Sequence, residues 1–81
     1  MLTAEQVRAA RALLRMEQKE LAERAGVSLP SIKRLEQMEG ALTATRVSTI
    51  EAIRAALEKA GVRFIPENGG GAGVRLAKPA S

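Results

Sequence analysis

Lys33 and Arg34 stand side by side in the segment GVSLPSIKRLE, with two hydroxyl side chains, Ser28 and Ser31, just ahead of them. A cation pair beside hydroxyl donors can hold an anion, but it does not by itself break bonds. The rest of the composition agrees. The chain has no His, Cys, Asp or Tyr, so the commonest general base, the thiol nucleophile and the usual metal ligands are missing and Glu is its only acidic side chain. The familiar catalytic pairs cannot be assembled from what remains, and neither a metal nor a cofactor is expected. The lack of Cys also removes disulfides and thiolate metal sites, which suits a reducing compartment. A net charge of +4 over 81 residues favours an anionic partner.

The elements that would carry these groups are short. Thr3 and Gln6 have capping-box spacing, so a first helix starts at Ala4 and fades near Arg15 or Met16. Val7, Ala10 and Leu14 share one face of it, with Arg8, Arg11 and Arg15 turned elsewhere and expected to be ordinary helix-surface charges. A second helix runs from Gln18 to Ala25 and buries Leu21, Ala22 and Ala25. Gly26 ends it in a left-handed conformation. Ser28 caps a third helix. Pro30 follows within the first turn, so the cap's bond goes to the amide of Ser31. Ile32 and Leu35 face inward, and this helix ends near Gln37 or Met38. MEGALTATR reads as a loop. A fourth helix opens at Ser48 or a nearby Thr, with Val47, Ile50, Ile53, Leu57 and Ala60 on one stripe, and closes at Gly61.

Beyond Gly61 the period changes to alternation. VRFI and VRLA read as strands joined by PENGGGAG, a hairpin with a long tip, and Lys78–Ser81 as a frayed tail. GGGAG is not a nucleotide-binding loop, because no GK[ST] follows it and no helix starts there. The expected fold is therefore mainly α: a four-helix bundle, residues 1–61, followed by a C-terminal β-hairpin and tail, residues 62–81. One small domain's worth of chain with a single Phe and no Trp gives a modest core. The N-terminal residues carry charges throughout, so neither a signal peptide nor a membrane span is expected, and the cytoplasm is the expected location.

Two short helices joined by a Gly-containing turn make a helix-turn-helix, and helices of this length need a shared core to persist. Ala22 is small where the helix axes approach, Gly26 supplies the turn, and Val27 fills the space beneath it. Gln18, Leu21-Ala22, Gly26-Val27-Ser28, Ile32 and Leu35-Glu36 resemble the Cro/C1-type (XRE) helix-turn-helix regulators, over roughly Val7 to Gly61. The resemblance implies an all-α DNA-binding bundle, usually dimeric, in bacterial or phage transcriptional control. It places Gln18 on a phosphate, and Leu29, Pro30, Lys33 and Arg34 on the helix face that contacts bases. Leu29 and Pro30 carry no polar side-chain group, which leaves them apolar contact with a thymine methyl. Arg34 can bond guanine bidentately, and Lys33 can reach a guanine or a phosphate. Ser28 and Ser31 lie near a helix N-terminus and are assigned to phosphate. Glu36 is expected to be structural, paired with a neighbouring Arg.

The family commonly adds a fifth helix where this chain has the hairpin. Val62 and Phe64 on one strand and Val74 and Leu76 on the other form an apolar strip, assigned to dimerisation with a second copy. The leading expectation is a sequence-specific DNA-binding regulator, a repressor acting as a dimer on palindromic double-stranded DNA. The competing one is an antitoxin-like or bridging protein-interaction module on the same fold, with the Gly-rich C-terminal segment ordering on its partner. No small-molecule pocket can be read from the sequence.

Overall fold

The computed structural model describes residues 2–77; the tail expected at Lys78–Ser81 lies outside the described residues. Four helices, α1 (Ala4–Leu14), α2 (Gln18–Ala25), α3 (Leu29–Glu36) and α4 (Val47–Ala60), precede two antiparallel strands, β1 (Val62–Ile65) and β2 (Gly73–Leu76). The expected class, a mainly helical bundle with a C-terminal hairpin, is the one observed.

Local chemistry accounts for most boundaries. Thr3 and Gln6 close a reciprocal capping box, with Gln6 N donating to Thr3 Oγ1 at 3.0 Å and Thr3 N to Gln6 Oε1 at 2.9 Å. At the other end of α1, Arg15 takes a left-handed conformation (φ 53°), and Met16 turns back into the core. Gly26 (φ 67°) ends α2, and the Val27 amide reaches back to the Ala22 carbonyl at 3.0 Å. Ser28 caps α3 through the Ser31 amide, as the position of Pro30 requires.

The core joins all the elements. Val7 and Ala10 of α1, Leu21 and Ala22 of α2, Ile32 and Leu35 of α3, and Ile50, Ile53 and Leu57 of α4 are buried in one cluster that also takes in Val62 of β1. Two of its largest fully buried side chains, Leu2 and Leu42, come from segments without helical periodicity. They meet because the N-terminal segment pairs with the α3–α4 loop: Thr3 bridges Ala41, the Leu42 amide donates to the Leu2 carbonyl at 3.2 Å, and the Ala4 amide to Gly40 at 3.0 Å.

Two expectations about α4 are corrected. The helix starts one residue before Ser48, capped by Arg46 without a side-chain bond, so neither Ser48 nor a Thr supplies the cap. Val47 is 72% exposed. It lies about 120° around the helix from Ile53 at 100° per residue, so the inward stripe begins at Ile50.

The hairpin strands pair Val62 with Leu76, Arg63 with Arg75, Phe64 with Val74 and Ile65 with Gly73. Its apolar strip faces its own bundle. Val62 is buried, and Phe64 and Val74 are half-buried against the core, so these assigned dimerisation residues are already covered within one chain; Leu76 alone of the four is exposed. Gln6 latches the hairpin to α1, its Nε2 donating to Gly73 O at 2.8 Å and Ile65 O at 3.2 Å. One buried amide therefore caps a helix and anchors a hairpin far along the chain.

Candidate nucleic-acid interface

α3 is held from behind by charge as well as by apolar packing. The Glu36 side chain, 4% exposed, receives Arg11 of α1 bidentately, Nε to Oε2 at 2.6 Å and Nη2 to Oε1 at 2.7 Å. Gln18 Nε2 adds a bond to Oε1 at 3.1 Å, and Arg11 Nη1 donates to the Met16 carbonyl at 2.9 Å. Arg8 donates to the Glu36 carbonyl. The pairing expected for Glu36 is present, and it corrects the reading of Arg8 and Arg11 as ordinary surface charges. Among the described residues no buried side-chain polar atom lacks a partner, so the network ties α1, α2 and α3 together.

The opposite face of α3 is open. Pro30, Lys33 and Arg34 are exposed, and neither Lys33 nor Arg34 is in an ion pair among the described residues. Leu29, expected on the same exposed face, is half-buried and packs against the core. Ser28 and Ser31 join Oγ to Oγ at 2.7 Å, so one hydroxyl proton is used between them and the other stays free for an acceptor. Pro30 has no N–H and the Ser31 amide is taken by Ser28, which leaves few backbone donors at the start of α3. At α2 the reverse holds. Its N-cap, Glu17, makes no side-chain bond, and the first intrahelical bond runs from Leu21 to Glu17, so the amides of Gln18, Lys19 and Glu20 have no helical partner. Gln18 gives one side-chain amide hydrogen to Glu36 and keeps another, and its backbone N–H has no helical partner.

α3 stands between two grooves. One, of about 550 Å³, runs along the α4 side and is lined by Ser31, Arg34, Thr45, Arg46 and Thr49 among others. The other, of about 520 Å³, lies toward α2 and is lined by Arg11, Gln18, Lys19, Leu29 and Lys33 with Glu17. α3 is thus an exposed helix carrying two cations without an ion pair among the described residues, flanked on each side by a further exposed cation, Arg46 or Lys19. Arg46 and Lys19 were not singled out from the sequence; Arg46 is the N-cap of α4, and Lys19 lies in the first turn of α2.

A family model described as helix-turn-helix matches residues 7–53, more than half of the chain and all of α2 and α3. The chain belongs to the Cro/C1-type helix-turn-helix (XRE) family. No curated protein matches the sequence. Membership makes this a DNA-binding helix-turn-helix protein, and among the described residues no helix is long and apolar enough to cross a membrane.

Proposed function

We propose that the protein is a sequence-specific transcriptional repressor that binds a palindromic operator as a dimer in the bacterial cytoplasm. The observation that supports this most directly is the two-sided build of α3: Ile32, Leu35 and Glu36 are buried and fixed, while Pro30, Lys33 and Arg34 are exposed, with no ion pair at either cation among the described residues. On this reading Arg34 bonds guanine, Lys33 a guanine or phosphate, and Pro30 with the exposed part of Leu29 touches a thymine methyl. Gln18, Ser28 and Ser31 hold phosphates, with Lys19 and Arg46 flanking them. Footprinting of the tagged protein across its genome tests the reading. A short, roughly two-fold symmetric site is expected, and uniform coverage of the chromosome would exclude sequence-specific repression.

Residues 1–61 serve as the reading unit on this proposal and 62–81 as the assembly element. Since Val62, Phe64 and Val74 face inward, the dimer contact falls on the hairpin's free edge and on Leu76, 41% exposed. The Ala77 amide bonds to the Gly61 carbonyl at 2.8 Å, and ladder alternation then turns the N–H and C=O of Val74 and Leu76 outward, free to pair with a second copy. Symmetric pairing would present two copies of α3 to successive major grooves about 34 Å apart. Leu76→Glu should convert a dimer to a monomer in sedimentation. A wild type that is monomeric at tens of micromolar, or a dimeric Leu76→Glu, would place the contact elsewhere or remove it.

A further inference from the structure

Arg63 and Arg75 are directly opposed across the hairpin, and both are exposed. Like charges in that relation destabilise a sheet pair. Neither guanidinium is in an ion pair or a side-chain hydrogen bond among the described residues. Several other cations have a local reason for their place: Arg11 holds Glu36, Arg24 pairs with Glu20, Lys59 sits in the last turn of α4, and Arg54 lies over the Phe64 ring at 5.8 Å, while Lys33 and Arg34 lie on the open face of α3. Arg63 and Arg75 have none. A local rule broken without compensation inside the fold points to a partner outside it.

The direction of this face narrows the partner. Alternation puts Val62, Phe64, Val74 and Leu76 on the bundle side and Arg63, Arg75, Ile65 and Gly73 on the outer side. On α1, Gln6 binds the hairpin while Arg8 and Arg11 bind α3. At 100° per residue those groups project about 140–160° apart, so the hairpin and α3 flank opposite sides of α1. A straight duplex seated on α3 therefore cannot also lie on the outer face of the hairpin.

We propose that Arg63 and Arg75 form a second phosphate-binding surface that holds a DNA duplex other than the one α3 reads. Guanidinium groups match phosphate bidentately, and a bound phosphodiester relieves the repulsion across the strand pair. The inference uses the family's DNA binding but not the identity of an operator. The protein would then tie two DNA segments together.

The test is capture of a fluorescent duplex of random sequence by an immobilised duplex, with the full chain between them. Wild type should capture the second duplex. Arg63→Gln/Arg75→Gln should lower capture about tenfold and its log–log salt slope by about 2, while binding to a single duplex is unchanged. Arg63→Glu gives an independent check: it pairs with Arg75 across the ladder, so the thermal midpoint should hold or rise while capture is lost. Sedimentation of each variant shows whether the oligomeric state is constant. No capture by wild type, or equal capture by variants of the same mass, overturns the proposal. Binding of poly-glutamate through the same arginines, without capture of a second duplex, would overturn it in favour of an acidic protein partner. Loss of single-duplex binding by wild type would instead refute the DNA reading itself.

Discussion

Arg11 and Arg34 carry the same guanidinium in opposite circumstances. Arg11 is bonded to a buried carboxylate and to a backbone carbonyl, and its charge is neutralised inside the fold. Arg34 is exposed and, among the described residues, pairs with no carboxylate. The first fixes where α3 sits; the second is available to whatever α3 meets. Removing them should therefore act on different quantities, one on folding and the other on recognition.

The largest effect is expected on the buried side. Glu36→Ala leaves Arg11 without its counter-charge and should cost about 3 kcal/mol in urea denaturation, the lower end of the range for a broken buried pair because Arg11 keeps partial access to water. The double change Arg11→Met/Glu36→Leu should recover most of that. A loss below about 1 kcal/mol for Glu36→Ala would mean that the pair does not organise the fold.

Arg34→Ala should leave the urea midpoint alone and cost about 1–3 kcal/mol on the specific site, with relaxed preference at one base pair. Equal loss on random DNA would reduce Arg34 to a phosphate contact. Lys33→Ala sharpens the contrast through salt: if Lys33 holds phosphate, the log–log slope of affinity against salt should fall by about 0.9, and an unchanged slope would assign it to a base or to neither.

Gln6→Ala removes an α1 cap and the hairpin latch together, so about 1–2 kcal/mol is expected, with faster amide exchange in β1 and β2 than in α2 or α3. Uniform exchange across the molecule would show that the hairpin does not open separately.

The smallest effect belongs to Glu5. Hydrogen bonds from its own backbone amide and then from that of Gly40 hold its carboxyl below the ordinary value, with a lesser share from Arg8. A depressed carboxylate contributes stability that is complete above its unfolded pKa and disappears as pH falls through the folded one. The stability difference between wild type and Glu5→Gln should accordingly shrink on acidification. A difference independent of pH would show that the charge at Glu5 is immaterial.

How much of this was legible follows the range of the interactions. The Thr3–Gln6 box, the left-handed Gly26 and the Ser28 cap that skips Pro30 could all be read, because each is a bond between residues within four positions, set by residue type and backbone conformation alone. The helix-turn-helix was readable for the same reason: its small, glycine and apolar positions form one unbroken stretch. The exposed part of the site came with it, since Pro30, Lys33 and Arg34 are what remains of α3 once Ile32 and Leu35 turn inward.

Only the tertiary structure decided the rest. Which arginine meets Glu36 depends on how α1 crosses α3, and no local preference distinguishes Arg8, Arg11 and Arg15. Leu2 and Leu42 are buried because two irregular segments pair, a contact with no periodicity to announce it. Val47 falls off the buried stripe because three-residue steps back from Ile53 drift to about 120° around the helix, and which part of that arc is covered depends on the neighbouring elements. Gln6 shows the division within one side chain. Its Oε1 bonds the Thr3 amide three residues away, which spacing reveals; its Nε2 bonds carbonyls of Ile65 and Gly73, which become neighbours only when the chain closes on itself.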